Sequence, residues 1–261
     1  MPSTFEKAEQ LRLLHHETEI LVLVNVWDVA SARTLAAVPG CQAIATASWS
    51  IAAAHGVPDH ERLTRDDMVA AAGRIAAAVD LPVTADLERG YGDTARDVGE
   101  TVARALDAGI VGANIEDANR PVEEAAARIE AARQRADAEG IPFVVNARLD
   151  LPIATTEEVE EAVVRARAYL DAGADCIYPI RISDPVVLED VVGRIAAPVN
   201  AFGRPDGPSV AELEALGVAR VSFGPGPMGA AMAALRRVGE TLLAGGAADA
   251  DLAFRPPVPQ A

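Results

Sequence analysis

Leu81-Pro82-Val83-Thr84-Ala85-Asp86-Leu87-Glu88-Arg89-Gly90-Tyr91-Gly92 opens as a buried strand, an apolar run after Leu-Pro, and finishes in charge and glycine. Phrases of the same type begin at Ile141 (through Arg148) and Ala197 (through Phe202). A second type opens after a glycine that ends a helix. Its members begin at Gly40 (Gln42 to Ser48), Gly109 (Ile110 to Glu116), Gly173 (Ala174 to Pro179) and Gly217 (Val218 to Phe223). With Ile20 to Val26 as the first strand there are eight, and the two types alternate from the second onward. Each strand is followed by a helical stretch, so the pattern predicts an α/β fold, a (β/α)8 TIM-type barrel forming a single domain over residues 1–245.

The helices carry their own punctuation. Thr64, Asp93 and Thr155 stand at N-cap positions before acidic first turns, and Gly109, Gly173 and Gly217 stand where a left-handed C-cap is needed. A further helix, about Thr4 to His16, precedes the first strand and is expected to cover the barrel bottom. Residues 246–261 turn Ala-rich and then Pro-rich, which predicts a mobile end or an intersubunit arm.

Half the residues are hydrophobic but only 4% are aromatic, so the core must be built from Ala, Val, Leu and Ile. A formal charge of −16 argues against nucleic-acid and anionic-membrane partners, which attract excess Lys and Arg. Cys41 and Cys176, the only cysteines, suggest neither a disulfide framework nor a zinc cluster, and both are expected to be buried core thiols. Together with the lack of an apolar signal core at the N-terminus and of any long uncharged apolar run, this predicts a soluble, cytoplasmic protein.

In this fold the catalytic groups stand at the carboxyl ends of the strands. Those ends are heavily acidic: Asp28, then Asp86 and Glu88, then Glu116 and Asp117, then Asp150. Asp86 and Glu88 are two apart and can both point inward, with Glu116 on the next strand beside them. Three such carboxylates repel one another unless a hard cation neutralises them, so Asp86, Glu88 and Glu116 are read as ligands for Mg2+, or alternatively Mn2+. Asp28 and Asp117 read instead as helix caps. Arg148 is the cation best placed in the barrel mouth; its planar fork suits a substrate carboxylate, or it pairs with the acids. His55 and His60 are loop histidines that could carry a proton or simply be solvated. Gly224-Pro225-Gly226-Pro227 follows the last strand, where barrels often bind phosphate, but its prolines remove amide donors.

These residues resemble the isocitrate lyase and phosphoenolpyruvate mutase superfamily. Asp86 to Gly92 is similar to its Asp-x-Asp-x-Gly-Tyr-Gly metal motif, Ile115-Glu116-Asp117 to the Glu-Asp after its fourth strand, and Asn146-Ala147-Arg148 to its strand-five arginine. Ser48 and Gly56-Val57-Pro58-Asp59 resemble its Ser followed by Gly-x-x-Asp. The resemblance runs in order from about Asn25 to Gly229. It implies a homotetramer whose paired subunits exchange the eighth helix, and magnesium-dependent chemistry next to a carboxylate through an enolate. Glu88 would touch the metal directly, with Asp59, Asp86 and Glu116 holding its waters. Ser48, the amides of Trp49 and Ser50, and Asn200 would receive substrate oxygens, and Arg148 a carboxylate. Ser48, Asp59 and Arg148 would form the catalytic set.

Two departures matter. Glu88 replaces the usual second Asp, and the Lys-x-Cys-Gly loop of the family's carbon–carbon lyases is missing, since Glu116-Asp117 runs through Ala118-Asn119-Arg120-Pro121 into a helix near Val122. The favoured expectation is a carbon–carbon lyase or decarboxylase for a small 2-oxo or 2-hydroxy carboxylic acid. A phosphonopyruvate-type carbon–phosphorus mutase or hydrolase, and a non-catalytic metabolite-binding relative, are the alternatives.

Overall fold

The computed structural model describes residues 2–247. The remainder of the Ala- and Pro-rich tail lies outside the described residues. Helix α1 (Thr4–Leu14) is followed by strands β1 (Leu21–Leu23) and β2 (Asn25–Val26) and helix α2 (Val29–Ala36). Then come β3 (Ile44–Thr46), α3 (Ser48–Ala54), α4 (Arg65–Ala76), β4 (Val83–Asp86), α5 (Ala95–Asp107), β5 (Gly112–Glu116) and α6 (Val122–Ala138). The chain continues as β6 (Val144–Leu149), α7 (Thr156–Asp171), β7 (Cys176–Pro179), α8 (Pro185–Arg194), β8 (Asn200–Phe202), α9 (Val210–Ala215), β9 (Arg220–Ser222) and α10 (Gly226–Leu243).

All pairings are parallel. One ladder runs β2-β3-β4-β5-β6-β7 and another β1-β9-β8. An isolated parallel bridge, Ile177 to Val199, joins β7 to the approach of β8. Only Val24 separates β1 from β2, so the strands follow one another round a TIM-type barrel. The first predicted strand is thus two pieces, because β1 pairs with β9 and β2 with β3. The others begin later than the sequence reading placed them. Pro82 and Pro142 have no N–H to give a ladder, and pairing starts at Val83 and Val144.

Alternation along the strands sorts the core. Val83, Ala85, Ala113, Ile115, Val145 and Ala147 face the helices in the main hydrophobic cluster. The opposite positions carry Asn114, Asn146, Asn200, Arg220 and Ser222, all buried. A smaller cluster at the amino ends of the strands gathers Ala8, Leu11 and Leu14 of α1 with Leu21, Leu23, Val111 and Val144. Here α1 closes the bottom, as expected. The fit is close: a Cβ on Gly112 would stand 2.9 Å from Leu11 Cδ2 and 3.1 Å from the Val144 carbonyl oxygen. Burying Leu11 there contributes roughly 1.5–3 kcal/mol.

Caps at Thr64 and Thr155 form as the sequence indicated, but α5 starts at Thr94 rather than Asp93. Thr94 accepts the Asp97 N–H while the Asp97 carboxylate accepts the Thr94 N–H, a reciprocal box that Asp93 cannot make. Cys176 is buried in β7, whereas Cys41 is only half-buried, because it sits in the turn after Gly40 before β3 begins. Helix α10 has no buried residue at all, and Leu235 is 63% exposed. No described helix is long and apolar enough to cross a membrane.

Candidate active site

The segments that follow β3, β4, β5 and β6 converge above the barrel. Ser48, the first residue of α3, donates to Asp86 Oδ2 from its N–H (3.2 Å) and its Oγ (2.9 Å). Asp86 in turn takes its place because its own N–H donates to Thr46 Oγ1 at 3.0 Å. Trp49 stands half-exposed at the rim, and Ser50 is buried with its Oγ unpartnered.

Glu88 does not lie on the strand, as the two-residue spacing from Asp86 had suggested. β4 ends at Asp86, and Glu88 sits in the following turn with φ 49°. Its carboxylate is almost fully buried, accepting the Tyr91 hydroxyl at 2.9 Å and the Glu61 N–H at 2.6 Å. Among the described residues the group able to hold a cation is Asp59, His60 and Glu88, with one ligand atom from each within 4.8 Å of the others. Of the three carboxylates grouped from sequence, only Glu88 belongs to it. Asp86 is occupied by Ser48, and Glu116 by Arg148. The metal fits this place on local grounds: Asp59 Oδ1 is buried without a hydrogen-bond partner, and a buried carboxylate oxygen with none is a cation's natural ligand.

Glu116 and Arg148 are register partners on β5 and β6. Arg148 Nη1 meets Glu116 Oε1 at 2.5 Å, while its Nε donates to Asp150 Oδ1 at 2.8 Å. Both readings of Arg148 therefore keep a basis, since it is braced by two acids and also lines the cavity. Asp117 is not a helix cap. Pro121 occupies the N-cap of α6, and Asp117 is a buried hub that accepts the N–H groups of Asn119 and Asp150 and the Tyr169 hydroxyl. Asp28 does cap α2, accepting the Ser31 N–H.

Burial sets the protonation of these acids. It lifts the Glu88 carboxyl to about 7, with help from the charges of Asp59 and Asp86. It raises Glu116 as well, against the pull of the Arg148 guanidinium. Arg148 itself is opposed by burial, but Glu116, Asp150 and Asp86 outweigh that and hold its proton more firmly.

A cavity of about 200 Å³ opens here, lined by Ser48, Asp59, Asp86, Asn114, Arg148 and Tyr178 among others. It admits a small acid rather than a cofactor-sized ligand. Asn200 lies beneath, paired with Ser222 at 3.2 Å. Gly224 cannot offer its N–H to a phosphate, because that N–H and the N–H of Phe223 both donate to Asn25 Oδ1. His55 Nδ1 is 2.9 Å from the Ile51 carbonyl oxygen, and the residue is not part of the cation group.

The rim is strained. Among the described residues, the non-glycine ones with positive φ are His60, Glu61, Glu88, Tyr91, Ala118 and Asn119, all in these loops. Each costs of order 1–3 kcal/mol and persists only where surroundings over-determine it. Glu61 does much of that: its carboxylate accepts the Tyr91 N–H at 2.9 Å and pairs with Arg89 at 2.9 Å, while its N–H holds Glu88. Arg128 bonds the carbonyls of Arg89 and Gly92 from below, at 2.6 and 2.8 Å. Gly90 is needed because φ is 87° there and a Cβ would meet Val98 at 2.9 Å. Sequence reading passed over Glu61, Arg128, Asn114 and Tyr178; none carries a local signal, since loop packing and barrel closure create their roles.

The family model described as phosphoenolpyruvate phosphomutase matches residues 11–243. An uncharacterised protein of Mycobacterium tuberculosis is 37% identical over 224 residues, covering 84% of this chain and 83% of that one. The 2-methylisocitrate lyase of Escherichia coli is 30% identical over 184 residues, 66% of this chain and 62% of the enzyme. The crystal structure of 2,3-dimethylmalate lyase superposes with a TM-score of 0.85 at 29% identity, covering 98% of this chain and 93% of that one.

Proposed function

We propose that this chain, which belongs to the phosphoenolpyruvate phosphomutase family, is a divalent-metal-dependent carbon–carbon lyase or decarboxylase for a small 2-oxo or 2-hydroxy carboxylic acid. The observation that carries this is that Asp59, one of the cation group Asp59, His60 and Glu88, lines the same cavity as the Arg148 guanidinium. Its likeness to a 2-methylisocitrate lyase and to 2,3-dimethylmalate lyase supports the same chemistry.

Asp59 and Glu88 would hold the metal, with His60 beside them and Asp86 and Glu116 close enough to receive its waters; Mg2+ is the favoured ion and Mn2+ the second. When bound, such an ion offsets the negative charge that builds on an enolate oxygen. The chain's own groups do the rest. Arg148 presents donors to the substrate carboxylate, its fork held in plane by Glu116 and Asp150. The amide of Trp49, at the start of α3, offers a donor to a second oxygen, while Ser48, whose N–H and hydroxyl both donate to Asp86, would hold that carboxylate in place beside it. Ser50 is buried beside them with a free hydroxyl. Asn200 contributes through Ser222 rather than by direct contact. Neither thiol belongs to this machinery, and the loop from Ala118 to Pro121 offers Asn119 and Arg120 where the lyases' cysteine loop would stand.

Carbon–phosphorus chemistry is the second reading, favoured by the absence of the loop cysteine, whereas the short loop without a lysine counts against it. Assembly as a homotetramer with an exchanged α10 goes with either reading, supported by a helix that buries nothing on its own barrel. The test is turnover of oxaloacetate, 2-methylisocitrate, dimethylmalate and phosphonopyruvate with Mg2+, followed by pyruvate release. Pyruvate from a carbon–carbon substrate is the expected result, and turnover of phosphonopyruvate alone, to phosphoenolpyruvate by a mutase or to pyruvate and phosphate by a hydrolase, replaces the first reading with the second.

A further inference from the structure

Below the cavity a buried polar chain runs down the barrel axis. Arg220, on β9, is almost fully buried, and its Nη2 donates to Asn114 Oδ1 at 3.3 Å. Asn146 Nδ2 donates to the same oxygen at 2.7 Å. On the other side Arg220 Nη1 stands 3.3 Å from Nε2 of His15, whose Nδ1 is 2.7 Å from the Leu11 carbonyl. A guanidinium has donors only, so both of its partners are fixed as acceptors. His15 is therefore neutral, with its proton on Nδ1 donating to Leu11. Burial and the Arg220 charge agree, holding its imidazole down at about 3.

Asn114 is oriented by its two donors in the same way. Its oxygen is committed to Arg220 and Asn146, so its Nδ2 must point the other way. That nitrogen has no protein partner among the described residues, and Asn114 is one of the residues lining the cavity. Asn146 leaves its own oxygen unpartnered in making this arrangement, and Arg220 leaves its Nε unpartnered. Two unmet buried groups are a cost that packing alone does not require.

We propose that the Asn114 side-chain amide is a fixed hydrogen-bond donor to an oxygen of the bound carboxylic acid, and that Arg220, seated on His15 of α1, is the positioning residue that keeps the donor facing it. The proposal deepens the functional reading above and rests on it. A donor locked in this sense favours an oxyanion over a neutral or cationic group, and links the helix that plugs the barrel bottom to recognition at its mouth.

The test uses the full-length protein with saturating Mg2+ and oxalate as the probe, affinity being read by calorimetry and folding by thermal melting. Asn114→Asp keeps an acceptor for Arg220, and so keeps the brace, but replaces the outward donor with an acceptor. Oxalate affinity should fall at least 10-fold while the melting temperature holds. Arg220→Met frees Asn114 to flip and should lower oxalate affinity 3- to 10-fold; Arg220→Lys, which can still donate to Asn114, should recover most of the loss. Oxalate bound within 2-fold of the parent by folded Asn114→Asp overturns the proposal and leaves the lyase reading standing. Equal oxalate affinity in parent, Arg220→Met and Arg220→Lys likewise removes the positioning role. A parent that binds no oxalate with Mg2+ overturns both the functional reading and this one.

Discussion

Arg148 and Glu116 are opposite each other in the β5–β6 register, and their side chains pair at 2.5 Å with Asp150 on the guanidinium's other edge. The pair is mostly buried, so the arginine is rigid before any ligand arrives. Rigidity of this kind lowers the entropy cost of gripping a carboxylate.

Arg148→Lys keeps the charge and loses the fork. Oxalate affinity at saturating Mg2+ is expected to fall by about 1.5–3 kcal/mol, with metal affinity little changed. If Arg148 only braces Glu116 and Asp150, the variant instead loses melting temperature and metal affinity while oxalate binding per loaded site is intact.

Glu88 gives the protein a pH signature. Its carboxyl is raised from 4.5 to about 7 in the folded state, so it contributes stability in full below pH 4.5 that is lost as pH rises to about 7. The loss is on the order of 3 kcal/mol for the metal-free protein. Denaturant melts of parent and Glu88→Gln across that window should show the difference between them shrink by that amount and then level off. Over the same range Mg2+ must displace the Glu88 proton, so metal affinity should rise towards pH 7 and flatten above it. A flat profile for both quantities removes Glu88 from the cation site.

Glu61 ties two strained loops together through Glu88, Arg89 and Tyr91. Glu61→Ala leaves the Tyr91 N–H and the Arg89 guanidinium without their acceptor, and about 1.5–3 kcal/mol of stability should go with them. Mg2+ affinity should fall roughly tenfold, because the Glu61 main chain that donates to Glu88 is no longer anchored to Tyr91 and Arg89. Unchanged calorimetric Mg2+ affinity in a folded variant contradicts this.

The two thiols should separate chemically without affecting turnover. Cys41 is half-exposed and should react with a maleimide in the native protein, whereas Cys176, buried and with its thiol pushed up to about 12 by burial, should react only on unfolding. Activity that survives full labelling of Cys41 and the Cys176→Ala change is the expected outcome. Loss of rate in a folded, labelled enzyme would place a thiol at the substrate.

The sequence by itself determined the barrel, because strand and helix periodicity and the glycine and proline punctuation are local properties that each segment carries alone. The closing of the bottom by α1, and the cavity-lining places of Ser48, Asp86 and Arg148, followed from knowing which way the barrel's strands run, whereas Asp59, in the loop after α3, was marked only by the family resemblance. Only tertiary structure decided which acids meet. Asp86 and Glu88 share a spacing that alternation alone would align, but a left-handed turn at Glu88 sends its carboxylate to Asp59 and His60. Glu116 is drawn instead to Arg148 by the β5–β6 register. Asp117 became a hub rather than a cap because Tyr169, 52 residues away, reaches it with a hydroxyl. Asn114 and Arg220 were silent in the sequence for the same reason. Residues 106 positions apart share a hydrogen bond only once the barrel has brought β5 and β9 across its axis from each other.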